Sequence, residues 1–175
     1  MVAEVLAANT AGFAKYPPNE GTPELRAAVA AWMQRRHGVT LDPDRHVMAL
    51  NGTREGLFNA AIALCPERKG GAQPLVLVPN PFYQVYAVAA LAAGAEPRYR
   101  PATAETGHLP DFGALDAETL NRTALVYLCS PANPQGAVAS EAYLAELIAL
   151  GERYGFQILS DECYSEIYRD APPMG

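Results

Sequence analysis

The stretch Leu75-Val76-Leu77-Val78-Pro79-Asn80-Pro81-Phe82-Tyr83, running on into Gln84-Val85-Tyr86-Ala87-Val88-Ala89-Ala90, decides how this chain folds. A short unbroken apolar run, a turn rich in Pro and Asn, and then a longer Ala-rich segment predict a strand over 75–78 followed by a helix over 83–93. The same alternation extends in both directions. Upstream, a strand over 46–50 precedes a helix over 54–64. Downstream come a short strand at 98–100, a strand over 124–129, a helix over 141–154 and a strand over 156–160. The interval 101–122 is less regular and holds a short helix near 112–119. At the N-terminal side, Thr22 caps a helix that has Pro23 at its first position and carries Leu25, Val29, Trp32 and Met33 at helical spacing, ending near Gly38. Strands written as nearly continuous apolar runs and separated by helices predict an α/β fold, a mainly parallel sheet with helices on both faces. Ligands of such sheets gather at the carboxyl ends of the strands.

At 175 residues, half of them hydrophobic, the chain can bury one ordinary core. A formal charge of -6 without clustered Lys and Arg argues against nucleic acid as a partner. No apolar stretch approaches the roughly 20 residues that cross a bilayer, and the N-terminus lacks the basic head and apolar run of a secretion signal, so a cytoplasmic location is the expectation. Cys65, Cys129 and Cys163 are odd in number and widely spaced, which fits buried reduced thiols and no metal site.

The polar residues that stand out all sit where a strand gives way to a loop or helix. Asn51-Gly52-Thr53-Arg54 opens a helix, whose first free amides form an anion site; glycine allows close backbone approach, and the Thr53 hydroxyl adds a donor. It is neither a P-loop nor a dinucleotide fingerprint, and alone it reads as an ordinary capped turn. Tyr83 offers a flat ring at a strand end, although aromatic residues more often serve cores. Asn133-Pro134-Gln135-Gly136 has the composition of a plain turn. Asp161 closes the last strand, where it reads either as a helix cap or as a carboxylate facing a protonated ring nitrogen. Tyr164 follows three residues later.

With these residues in this order, the chain resembles the fold-type I, class I and II pyridoxal phosphate aminotransferases. The resemblance implies that Gly52, Thr53 and Arg54 hold the cofactor phosphate, that Tyr83 stacks on the ring, that Asn133 and Tyr164 meet the phenolic oxygen, and that Asp161 pairs with the ring nitrogen. Asp161 and Tyr164 are then the catalytic candidates. Tyr16, in Lys15-Tyr16-Pro17-Pro18, matches a tyrosine that the family sends to a neighbouring subunit's phosphate, implying a homodimer. Residues 1–45 become an N-terminal interface segment with a helix, and 46–175 part of the cofactor-binding large domain. Within the family, the wording of Val78 to Tyr83 and of Ser160 to Tyr168 is most like the N-succinyldiaminopimelate aminotransferases of lysine biosynthesis, which use glutamate and 2-oxoglutarate as the partner pair. General aminotransferases and carbon-sulfur lyases of the same fold, or a non-catalytic remnant, are the alternatives. Family members are more than twice as long, so the chain is expected to be a fragment lacking the Schiff-base lysine. Lys15 and Lys69 are its only lysines, and neither matches that position.

Overall fold

Four parallel strands carry the architecture: β1 (Leu75–Asn80), β2 (Glu96–Pro101), β3 (Thr123–Cys129) and β4 (Gln157–Asp161), hydrogen-bonded in the order β2-β1-β3-β4. The computed structural model describes all residues from Met1 to Gly175. The helices are α1 (Val2–Ala8), α2 (Pro23–His37), α3 (Pro43–His46), α4 (Thr53–Leu64), α5 (Gln84–Ala92), α6 (Ala117–Arg122) and α7 (Glu141–Tyr154). The chain divides into two compact units, Met1–Asn51 and Gly52–Gly175.

The two-residue period of the strands explains why the sheet is covered on both faces. Val76 and Val78 of β1, with Leu125 and Tyr127 of β3, turn to one side and pack with Ala61 of α4 and with Tyr86, Ala89 and Ala90 of α5. Leu77, Val126 and Leu128 turn to the other, against Leu120 of α6, Leu147 of α7, Leu109 and Phe112. Each fully buried Leu or Val contributes about 1.5–3 kcal/mol relative to exposure. The two central strands, apolar on both faces, therefore dominate the core.

Helix ends follow local chemistry. Ser140 Oγ accepts from the Tyr143 amide at 3.2 Å to start α7, and Gly155, at φ 66°, ends it; the expected span 141–154 is the observed one. Thr22 Oγ1 accepts from the Leu25 amide at 3.2 Å and Pro23 opens α2, as the sequence predicts. In the same unit Gly21 sits at φ 90°, where a Cβ would lie 2.7 Å from that of Ala49, so both conformation and space require glycine.

Four expectations need correction. The strand predicted over 46–50 does not form: Asp42 caps α3 through a bond from the Asp44 amide to Oδ1 at 2.9 Å, with Pro43 at the first position, and this takes His46 into a helical turn. Val47 is extended, but residues 47–50 join no sheet; the Ala49 amide bonds to the Glu20 carbonyl at 2.9 Å instead. The short helix placed at 112–119 begins later, because Asp116 Oδ1 accepts from the Thr119 amide at 2.8 Å and caps α6. The stripe Leu25, Val29 of α2 is substantially exposed, at 49% and 36%. Among the thiols, Cys65 and Cys129 are half-buried but Cys163 is exposed, since it lies in the turn after β4. No helix is long and apolar enough to cross a membrane.

Candidate active site

After β1 the chain passes to β2 on one side and then returns across β1 to reach β3 on the other. The connections leaving the carboxyl ends of β1 and β3 therefore diverge, and a crevice opens between them. A cavity of about 550 Å³ lies at this end of the sheet. Phe82 and Tyr83 line it from the turn after β1, Asn133 and Gln135 from the turn after β3, Asp161, Cys163 and Tyr164 from the end of β4, and Thr53 from the start of α4.

Asp161 is the chemical centre of this wall. Its register partner on β3 is Cys129, and it is only 7% exposed. The Tyr86 hydroxyl donates to Oδ2 at 2.6 Å, and the Cys163 amide approaches Oδ1 at 3.4 Å. Both donors are neutral, so a nearly buried carboxylate faces the cavity without a cationic partner of its own. No helix follows β4, which leaves the helix-cap reading of Asp161 without a helix to cap. Burial, and then the hydrogen bond and charge of Asp161, push the Tyr86 phenol far above its ordinary range, so it stays a donor. Burial, followed by the Asp161 charge, likewise pushes the Cys163 thiol up to about 11.

Asn133 Nδ2 donates to the Tyr164 hydroxyl oxygen at 3.0 Å, joining the turn after β3 to the turn after β4. The Tyr164 hydroxyl keeps its own proton to donate. At the start of α4, Gly52 is at φ 98°, supplies no side-chain cap, and has open space where a Cβ would stand. The first amides of that helix thus remain uncapped by a side chain. Arg54 Nε donates to the Tyr83 hydroxyl at 2.5 Å, so Arg54 is held against Tyr83 rather than lining the cavity wall.

Thr53, Tyr83, Asn133, Asp161 and Tyr164 thus share one cavity, with Gly52 and Arg54 beside it in sequence and by hydrogen bond. Tyr16 belongs to the other unit and is fully exposed. Lys69 caps the carboxyl end of α7, donating to the carbonyls of Tyr154, at 3.0 Å, and Gly155. That places it near the amino end of β4, away from the end that carries Asp161.

The sequence reading missed Tyr86 and gave Gln135 no role. Tyr86 follows Tyr83 by three residues, a helical spacing that could have paired the two, and their rings meet edge to face at 5.8 Å. Gln135 lines the cavity with its Oε1 buried and unpaired.

Comparison with known proteins gives the family of the chain. The family model described as aminotransferase class I and II matches residues 1–174. LL-diaminopimelate aminotransferase of Desulforudis audaxviator is 42% identical over 161 residues, covering 91% of this chain and 40% of that protein. Its counterpart in Moorella thermoacetica is 41% identical over 156 residues, covering 89% and 39%. The crystal structure of an aminotransferase from Neisseria meningitidis Z2491 superimposes with a TM-score of 0.91 at 39% identity, over 99% of this chain and 44% of that one. The chain thus spans about 40% of the length of the curated relatives it matches. By the match along nearly all of its residues, the chain belongs to the class I and II aminotransferase family.

Proposed function

We propose that these residues form the cofactor-binding part of a pyridoxal phosphate-dependent aminotransferase that acts on diaminopimelate in lysine biosynthesis. The observation that carries the reading is Asp161: a carboxylate 7% exposed, met by neutral donors, on the wall of a cavity at the carboxyl end of a parallel sheet. An uncompensated buried charge is costly, and a protonated ring nitrogen is a partner that satisfies it. The other residues fit the same group. The uncapped start of α4, with Thr53 on the cavity wall, suits a phosphate. The unpaired Gln135 Oε1 adds an acceptor in the wall for a polar ligand.

When bound, pyridoxal phosphate supplies an aldehyde that takes up the amino group and a ring that accepts electrons. In this reading the Asp161 carboxylate holds a proton at the ring nitrogen. Asn133 and Tyr164 orient the ring through its phenolic oxygen, and Tyr83 covers a ring face. Gly52 and Thr53 hold the phosphate, and Arg54 joins them by exchanging its bond to the Tyr83 hydroxyl for one to a phosphate oxygen. Tyr16, fully exposed, reaches a neighbouring subunit's phosphate in a homodimer, and the exposed apolar residues of the segment 1–45, Val5, Leu6 and Phe13 among them, suit an interface. The protein works in the cytoplasm on amino-acid and keto-acid substrates.

The relatives at 42% and 41% identity are named for LL-diaminopimelate, which favours an unsuccinylated donor. The wording around residues 78–83 and 160–168 favours the succinylated one. With the full-length protein and 2-oxoglutarate, glutamate formation from LL-diaminopimelate and from its N-succinyl derivative decides between them as a ratio of kcat/KM. We expect the free diamine to win. A clear preference for aspartate or an aromatic amino acid would replace both readings with a general aminotransferase.

A further inference from the structure

Tyr86 is buried, 1% exposed, in the middle of the face formed by α4, α5 and the sheet, and beside its edge contact with Tyr83 it makes two further directed contacts there. Its hydroxyl donates to Asp161 Oδ2 at 2.6 Å. Its ring lies parallel to that of Tyr127 on β3, with centroids 4.4 Å apart and planes 13° apart. Tyr127 is itself fixed, since its hydroxyl donates at 2.7 Å to the carbonyl of Leu57 in α4. Of the two acceptors beside the phenol, the Asp161 carboxylate and the Cys129 sulfur, the carboxylate is the stronger. Tyr86 also lines the cavity, but through a hydroxyl already committed to Asp161.

We propose that Tyr86 is a positioning residue for Asp161: its hydroxyl fixes the carboxylate plane and favours the charged carboxylate, so that the proton shared with the cofactor rests on the ring nitrogen rather than on Asp161. The inference rests on the cofactor reading given above. A donor to Oδ2 stabilises the anion more than the neutral acid, because hydrogen bonds to charged groups are the stronger ones. It also leaves Oδ1, whose own protein contact is the long one from the Cys163 amide, as the oxygen free to face the ring. The phenol keeps its proton throughout the working range, since burial and the neighbouring carboxylate both oppose its ionisation. Tyr127 takes no part in the proton balance. It sets the plane of Tyr86 by stacking and ties that plane to the helix that opens at Thr53.

Two substitutions separate this role from simple packing. Tyr86→Phe and Tyr127→Phe each remove one hydroxyl and keep the stacked pair. The full-length apo protein and both variants are titrated with pyridoxal phosphate and with its 1-deaza analogue, in which carbon replaces the ring nitrogen. Bound ¹⁵N-labelled pyridoxal phosphate then reports ring protonation through its nitrogen chemical shift as pH is varied. We expect Tyr86→Phe to weaken pyridoxal phosphate roughly tenfold, the scale of one hydrogen bond to a charged group, and to leave the deaza analogue within about twofold of the parent. In this variant the shared proton should move part of the way from the ring nitrogen to Asp161, seen as a nitrogen shift displaced toward its unprotonated value at neutral pH. Tyr127→Phe should affect both ligands alike and leave the nitrogen signal where it is. Equal weakening of both ligands by Tyr86→Phe, or an unmoved nitrogen signal, would overturn the positioning role while the cofactor reading stood. Failure of the parent protein to bind either ligand would overturn the cofactor reading and the role of Tyr86 with it.

Discussion

In the unit Gly52–Gly175, apolar side chains of the two central strands are removed from water on both faces of the sheet, whereas in Met1–Asn51 only Gly21 and Arg26 are buried. Both units contain helices with side-chain caps, Thr22 and Asp42 in the first and Asp116 and Ser140 in the second. The difference lies in what the helices cover. Helices α4, α5, α6 and α7 close over strands, while the apolar residues of the first unit, Val2, Val5, Leu6, Phe13, Leu25 and Met48, stay at the surface. The local order of the first unit rests on few directed contacts: Arg26, whose guanidinium meets Asp44 at 2.7 Å and the Pro43 carbonyl at 3.2 Å, and the tight approach of Gly21 to Ala49. One unit has its own core, and the other carries an apolar surface suited to covering by something else. Every proposed cofactor contact except Tyr16 belongs to the unit with the core.

The largest effect that could break this comparison is on turnover. In the full-length enzyme Asp161→Asn should remove on the order of 4 kcal/mol of transition-state stabilisation, roughly a thousandfold in kcat, because an amide cannot hold a proton at the ring nitrogen. Tyr16→Phe, which in the proposed homodimer would delete one hydrogen bond to a phosphate, should cost about 1.5–2 kcal/mol, seen mainly in cofactor affinity. Steady-state kinetics and cofactor titration of both variants check this. Equal losses in kcat would mean that the first unit takes part in the chemistry and that the division of labour is wrong.

Stability offers the next test. Leu125 lies at the centre of β3 and is fully buried, so Leu125→Ala should cost about 2–5 kcal/mol. Leu25, 49% exposed on α2, should cost under about 1 kcal/mol when changed to Ala. Urea unfolding midpoints, compared at unchanged slope, measure both. A Leu25→Ala loss as large as that of Leu125→Ala would show that α2 is covered in solution.

The same contrast explains what could be read from the sequence. Strands β1 and β3 and helix α7 were legible because their patterns are one-dimensional: an apolar run, or a Ser cap and a Gly stop at the right spacing. Residues 46–50 look like a strand by composition, yet strand formation needs a pairing partner, and the Asp42-Pro43 cap pulls His46 into a helical turn. The candidate residues Thr53, Tyr83, Asn133, Asp161 and Tyr164 stood out at element ends, where parallel sheets place ligands, and the structure brings them around one cavity. Tyr86 did not stand out. Its contact with Asp161 spans 75 residues, and only the sheet order, which puts β3 between β1 and β4, brings the start of α5 within reach of the end of β4. Arg54 stands beside Thr53 at the start of α4, but its bond to the Tyr83 hydroxyl depends on side-chain direction, which spacing does not encode.

The smallest effect concerns the edge of the core-bearing unit. β2 lies at one end of the sheet and carries Glu96 and Arg98, charges of the kind that keep an edge strand from pairing with other chains. Glu96 meets Arg98 at 2.8 Å and Arg122 at 3.4 Å. The hydrogen bond from Arg98 lowers the Glu96 carboxyl from its ordinary value of 4.5, against an opposing push from burial. Because the folded value lies below the unfolded one, the contribution to stability is fully present above about pH 4.5 and disappears as pH falls through the folded value. The side chains are 40% and 43% exposed, so solvent screening holds the effect below about 1 kcal/mol. Glu96→Gln should therefore lower the urea midpoint slightly at pH 7, and the difference from the parent should shrink as the pH falls below about 4.5 and in about 1 M salt. A loss above about 2 kcal/mol that survived high salt would show that charge, rather than the two apolar faces of β1 and β3, holds this edge of the sheet in place.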